Sequence, residues 1–393
     1  MKMMKNIGFL ICTVLIGVMG CKVPYTPKVS AVNSNILVVE GVINTGGDST
    51  IIKLSRTVDL TTASSMNPEA NAVVTVESNQ GAVYTLNDLG NGNYSAGVLN
   101  LDNTQQYHLR IKTQDGAQYL SAFEAVKNTP PIDSIGFTIQ ANGLQIYANT
   151  HDPNNATRYY RWSYAETWQF HAKYESYYVS DGTKIVARDP AKQVYTCFSN
   201  STSSTIVLGS SAALKQDVIY QQPLTQVVST SEKIEKKYSI LVKQYALTKD
   251  EFDFWTNLKK NTEQLGSIFD PQPSNINGNI QCTTNAKTPV IGWVAVTNVQ
   301  EKRVFINNSS LPSAWVTAYP YDCTLDTNLF CKPVQGQCLN EVEQNLIPLN
   351  AGIIPLNTVI IAPSPAVVGY TGSSIECSDC TLRGTTVQPA FWR

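Results

Sequence analysis

The chain has 393 residues, a formal net charge of −1 and only 15% charged side chains. That balance excludes a nucleic-acid binder, which needs a basic surface, and the length allows two or three domains with cores of their own. Abundant Thr, Ser, Asn, Gln, Tyr and Val give the composition of an exported β protein.

Lys2 and Lys5 open the chain, and residues 7–19 follow as an apolar run. A positive start, an apolar core and small residues after it make a secretory signal. A core of about 13 residues is too short for a helix across a bilayer of ~30 Å, which needs ~20. Plain secretion would cut after Gly20, but Val18-Met19-Gly20-Cys21 has the form of a lipobox. The expectation is a signal peptide over residues 1–20 and acylation of Cys21, with several chains because one alone anchors only marginally. Loss of the leader removes Lys2 and Lys5 and no acid, which leaves the mature chain at −3. Residues 21–35, with Pro24, Pro27 and Ser30, read as a flexible tether. Lys22 stands where Asp commonly signals retention in the inner membrane, so the expected location is the outer membrane, lipid-anchored.

Residues 36–127 predict short strands with turns at regular spacing. ILVVEGVI has the apolar run of a buried strand, while STIIKLSR and AVVTVES alternate. Asn91-Gly92 is the strongest two-residue hairpin signal, and Asp115-Gly116 marks a second hairpin. Six or so strands in this length predict an immunoglobulin-like β-sandwich. Thr129-Pro130-Pro131 then interrupts, so a larger β-rich domain, also a sandwich, is expected over residues 128–393.

The larger part opens with an aromatic pattern. Tyr160, Trp162, Tyr164, Trp168, Phe170 and Tyr174 occupy even positions, with Arg161, Ser163, Thr167, Gln169, His171 and Lys173 between them. This strict period of two predicts a strand with one aromatic and one polar face. Over residues 160–174 it would run ~50 Å at ~3.3 Å per residue, so a bend or bulge is expected near Glu166, which interrupts the aromatic face. The even positions read as core. Tyr174, Tyr177 and Tyr178, beyond the regular run, are candidates for a binding surface.

One helix is expected, over residues 249–265. Thr248 and Glu251 form a capping box, Asp250 and Asp253 suit the first turns, and Gly266 stops it. Phe252, Trp255, Leu258 and Leu265 give its apolar stripe, with Trp255 and Leu258 expected to pack into the larger domain. PVIGWVAVTN and KRVFIN then read as further strands of that same core, and residues 307–393 as long loops pinned by disulfides.

Cys12 leaves with the leader, and Cys21 is the lipid site. Cys197, Cys282, Cys323, Cys331, Cys338, Cys377 and Cys380 remain as disulfide candidates. Seven is odd, so one thiol is left over. Cys377 and Cys380 form a CxxC, but the spacings of Cys323, Cys331 and Cys338 are too loose for a zinc site of two tight pairs. Disulfides are therefore expected over metal, and no cofactor is implied. His108, His151 and His171 lie far apart, and no phosphate-binding, dinucleotide, metalloprotease or nucleophile-elbow motif occurs. Glu166 is the one carboxylate to watch as an acid catalyst. The plainer reading is an ion pair with an arginine, or a bulge that turns it outward. HDPNNATRYY has the oxygen count of a calcium loop, but an Asx-turn at Asp152 or Asn154 explains it more simply.

RYYRWSYAETWQF, KYSILVKQYALTKDEFDFWTNLKKNTEQLGSIFDPQPSNINGNIQC, VIGWVAVTNVQEKRVFI and ECSDCTLRGTTVQPAFW occur together in this order. With the lipobox, they make a chain that resembles the Bacteroidota lipoproteins grouped as domain of unknown function 4249, from about residue 21 to the end. The resemblance implies genes near TonB-dependent receptors, and hence a TonB-dependent outer-membrane β-barrel as partner. No residue role comes with it. Surface lipoproteins of that group often carry acids directly after the cysteine; here Lys22 and Lys28 precede the first acid, Glu40, which leaves the membrane face open. The expected function is a non-enzymatic accessory or ligand-binding partner of such a transporter. A structural, adhesion or assembly role in the envelope is the alternative, and a hydrolase using Glu166 a third.

Overall fold

The computed structural model describes residues 35–58, 67–263 and 278–392. The expected leader, Cys21, and all of the tether but Asn35 lie outside the described residues, as do Leu265 and Gly266 at the expected helix end.

The first segment forms β1 (Leu37–Asn44), β2 (Thr50–Arg56), β3 (Val73–Ser78), β4 (Val83–Asp88), β5 (Asn93–Ala96), β6 (Gln106–Lys112), β7 (Gln118–Ser121) and β8 (Glu124–Ala125). Alternation sets the faces: Ile52, Leu54, Val74 and Val76 point into a core, while Ile51, Lys53 and Val73 face out. Asn91 and Gly92 both take positive φ, 52° and 73°, as the expected tight turn between β4 and β5 requires. A Cβ at Gly92 would lie 2.1 Å from the carbonyl oxygen of Leu54, so glycine is also needed there for space.

The second segment forms β9 (Ile132–Gln140), β10 (Gly143–Asp152), β11 (Tyr159–His171), β12 (Tyr178–Ser180), β13 (Ile185–Ala187), β14 (Thr196–Thr202), β15 (Val207–Ser210), β16 (Asp217–Val228) and β17 (Lys237–Leu247), then helix α1 (Lys249–Glu263). The chain goes on through β18 (Ile280–Cys282), β19 (Val290–Gly292), β20 (Ala295–Thr297) and β21 (Gln300–Asn307). It ends in short pieces, β22 (Asp326–Leu329), β23 (Lys332–Val334), β24 (Gln337–Leu339), α2 (Glu341–Asn345), β25 (Ile353–Ile360), β26 (Val367–Ser374) and α3 (Ile375–Ser378).

The fold is mostly β, as expected. One eleven-stranded sheet runs β18-β7-β6-β3-β4-β5-β2-β1-β19, with β20 also on β1 and β8 on β6, and closes sandwich-like over a largely aliphatic core. The expectation that PVIGWVAVTN builds the second core is corrected here. β19 and β20 pair parallel with β1, with Val39 opposite Gly292 and Val42 opposite Ala295. Only the KRVFIN strand, β21, joins the larger sheet. Both stretches are apolar, and apolarity alone does not say which open edge a strand will fill.

The larger part stacks β16-β10-β9 on β14-β11-β17-β21, with β15 also on β11. Leu144, Ile146 and Val227 of one sheet share a core with Tyr160, Trp162, Phe170 and Tyr238 of the other. β11 keeps its expected alternation but ends at His171, and its register against β17 and β14 runs unbroken through Glu166, so the expected bulge is absent. Polar anchors tie this aromatic core. Gln244 accepts from Trp162 Nε1 at 2.8 Å and donates to Thr150 Oγ1 at 3.0 Å and to the Pro130 carbonyl at 2.8 Å. The link at Thr129 is bound at both ends: its amide donates to Asn298 Oδ1 at 2.6 Å, and its hydroxyl accepts from the Ala246 amide at 2.9 Å.

Helix α1 begins as expected, with the Glu251 amide donating to Thr248 Oγ1 at 3.2 Å. Its buried residues are Glu251 and Phe254, however, while Trp255 and Leu258 are only half-buried. The correction follows from position. The helix sits where the two sheets meet, and Phe254 turns to Trp293, between β19 and β20, with ring centroids 5.8 Å apart. No helix among the described residues is long and apolar enough to cross a membrane.

Candidate functional site

Glu166 is buried, 4% exposed, and all its neighbours are donors. Lys233 Nζ reaches it at 2.6 Å, Tyr238 Oη at 2.7 Å and Ser201 Oγ at 2.9 Å. The ion-pair reading therefore holds, with a lysine in place of the expected arginine. The groups around it are an ammonium, a phenol and a hydroxyl; a second carboxylate, which a two-carboxylate hydrolase needs, is not among them. Nearby, Glu232 accepts from Trp168 Nε1 at 3.3 Å and pairs with Arg383 at 3.0 Å. His171 stacks on Tyr195 at 4.3 Å, and its burial pushes the imidazole down to about 4. Asp152 is consumed by an Asx-turn, accepting from the amides of Asn154, Ala156 and Thr157 at 2.9, 3.0 and 2.9 Å.

The cysteines build a cap over the larger sheet. Cys197 of β14 pairs with Cys380, Cys323 with Cys377, and Cys331 with Cys338 around the β23–β24 hairpin. The two cysteines of the CxxC are thus split between separate disulfides. Cys282, one of the candidates, is corrected to a free, buried thiol. It lies in β18 of the eleven-stranded sheet, where no other described cysteine sits.

The three tyrosines fall on the segment that laces this cap down. Tyr174 is half-buried; its amide donates to the Cys377 carbonyl and its hydroxyl to the Cys323 carbonyl, both at 3.0 Å. Ser176 is fully buried and donates to the Pro355 carbonyl at 2.9 Å. Tyr177 is 49% exposed, and its hydroxyl reaches Glu175 at 2.6 Å. Tyr178 meets Tyr370 of β26 edge-on at 5.1 Å, and Tyr370 meets Phe330 at 5.9 Å. With Phe330 41% exposed, these rings form an aromatic surface on a pinned frame. Tyr174 is a structural fastener and Tyr177 the open member. Tyr370 and Phe330 carried no periodic signal: β26 around Tyr370 does not alternate, and Phe330 lies just beyond the four-residue β22.

A second feature lies where β11 turns its polar face to the eleven-stranded sheet. Register places Arg161 opposite Tyr245, and Lys243 opposite Glu301. Together with Asp48, Ser49 and Asn44 of the facing sheet they line a cleft of about 150 Å³. The Arg161 guanidinium lies over the Tyr245 ring at 4.2 Å and the Trp255 ring at 4.4 Å. Lys243 pairs with Glu301 at 2.5 Å. Beneath Trp255, Glu251 accepts from its indole at 3.1 Å, and the Thr248 backbone N–H also favours its ionised form, as the expected capping box requires. Burial pushes that carboxyl up to about 7, against the pull of Arg161. Sequence reasoning saw only an alternating polar face; the facing sheet is what makes it a cleft.

Fold and site define a two-sandwich β protein with a disulfide-pinned cap and an inter-sheet cleft. The chain belongs to the family described as Domain of unknown function (DUF4249), whose model matches residues 22–303. The match leaves most of the cap outside. No curated protein matches the chain.

Proposed function

We propose that this protein is a lipid-anchored component of the outer membrane that acts by binding, as an accessory partner of a TonB-dependent β-barrel. The observation that carries this reading is the cap. Three disulfides hold irregular chain in one conformation and with it the aromatic cluster of Tyr178, Tyr370 and Phe330, next in sequence to the exposed Tyr177. Pinned irregular surface suits recognition, because the ordering entropy is already spent before a partner arrives. Disulfides also fit an exported chain, and the lipobox at Cys21 supplies the anchor. Tethering raises the concentration of such a surface beside an outer-membrane barrel.

Crosslinking in whole membranes should recover a β-barrel with the wild-type chain. Tyr177→Ala should melt like wild type yet recover less barrel, because Tyr177 is exposed. Recovery of monomer alone, or equal capture by both chains, counts against the reading. Cys21→Ser should abolish metabolic labelling by an alkyne fatty acid; equal labelling rules out the anchor.

A further inference from the structure

Arg161 makes no salt bridge within 4 Å among the described residues; the Glu251 carboxyl beneath Trp255 attracts it only from further off. The Arg161 guanidinium carbon lies over the rings of Tyr245 and Trp255, at 4.2 and 4.4 Å. Its Nε is buried and unbonded, and no carboxylate among the described residues pairs with it. A guanidinium held against two rings keeps its edge, in its own plane, for a polar group. That edge carries the forked N–H donors that match the two oxygens of a carboxylate. Arg161 itself is half-buried, but a buried N–H left unbonded is costly, so the arrangement suits an anion that arrives from the cleft.

The rest of the lining narrows the class. Lys243 is already taken by Glu301 at 2.5 Å, and the remaining charge in the cleft is the exposed carboxylate of Asp48 on the facing sheet. Arg161 and Lys243 balance Asp48 and Glu301, so the lining is neutral overall. A phosphate dianion would face two carboxylates there. A molecule with one carboxylate and one ammonium meets a complementary group at each end. The volume of about 150 Å³ admits a small solute; an apolar cavity of ~150 Å³ takes up benzene. We propose that this cleft binds a small zwitterion of the amino-acid type, its carboxylate on the edge of Arg161 and its ammonium toward Asp48.

The test is calorimetric titration of the full-length protein in detergent with glycine, L-alanine and L-valine, and with acetate, methylamine and inorganic phosphate. At least one amino acid should bind, roughly tenfold or more tighter than acetate, with phosphate and methylamine weaker still. Arg161→Lys keeps the charge but loses the fork and should lose amino-acid binding. Asp48→Asn, at an exposed site that leaves the fold intact, should lower amino-acid affinity to that of acetate. The proposal is overturned if none of the three amino acids binds, if phosphate binds as tightly as they do, or if either variant binds them like wild type. None of these outcomes bears on capture of a β-barrel by the cap.

Discussion

The eleven-stranded sheet and the larger region solve the same problem differently. The first closes long ladders over Leu37, Ile43, Ile52, Leu54, Val74 and Leu109, all at most 1% exposed, and its described residues contain no disulfide and one free thiol. The second packs aromatic side chains with hydrogen-bonded anchors, and all three disulfides fall in it. Its cap is assembled from strands of three or four residues and helices of five and four, with only β25 and β26 longer. Such pieces bury too little to offset chain entropy. Crosslinks therefore appear where the core is thinnest, and the cap is held by constraint on the unfolded chain as much as by packing.

The sharpest way to break this comparison is to remove the longest crosslink. Cys197 and Cys380 are 183 residues apart. Replacing both with serine should destabilise the larger region by ~5 kcal/mol on the chain-entropy view of so long a loop. Calorimetry should show the larger region melting earlier and the eleven-stranded sheet unchanged. Equal loss in both would mean that they unfold as one unit.

Helix α1, at the junction, sharpens the comparison. Phe254→Ala removes a ring that is 4% exposed and should cost ~3–5 kcal/mol, whereas Leu258→Ala, at a half-buried site, should cost ~1 kcal/mol. Denaturant titration of the two variants decides it. Similar losses would put the helix's packing face where the sequence stripe placed it.

Acidity separates the two regions by sign. Burial raises Glu251 from the ordinary 4.5 to about 7. Below about pH 4.5 it is protonated folded and unfolded alike, and its contribution is fully present. Between about 4.5 and 7 the unfolded chain releases its proton first, so stability falls as pH rises, by on the order of 3 kcal/mol in all. Glu251→Gln should remove that slope. On the outer face of the first sheet the sign reverses. Arg110, through hydrogen bonds of 2.7 and 3.1 Å, holds Glu77 down at about 2. Its contribution is present above about 4.5 and lost as pH falls through about 2. Melting curves against pH should therefore move in opposite directions in Glu251→Gln and Glu77→Gln, with the smaller change in the partly solvated Glu77.

Much of the fold was legible locally. Period-two alternation marked β2, β3 and the aromatic β11, Asn91-Gly92 marked its hairpin, and Thr248 marked the start of α1, because each signal depends on neighbouring residues whose geometry the backbone dictates. Tertiary structure alone decided the rest. β19 and β20 left the expected core for β1 because an open edge in the first sheet was waiting for them, more than 240 residues away in sequence. Glu166 took Lys233, Cys380 took Cys197, and Phe254 took Trp293, partners set by how the sheets stack and not by spacing. The same holds for Arg161. Alternation put it on a polar face, and only the sheet packed opposite, with the helix that lays Trp255 over it, turned that face into a cleft. A sequence shows which way a side chain points from its own strand; what covers it depends on chain folded from elsewhere, and that long-range register is where site chemistry is assembled.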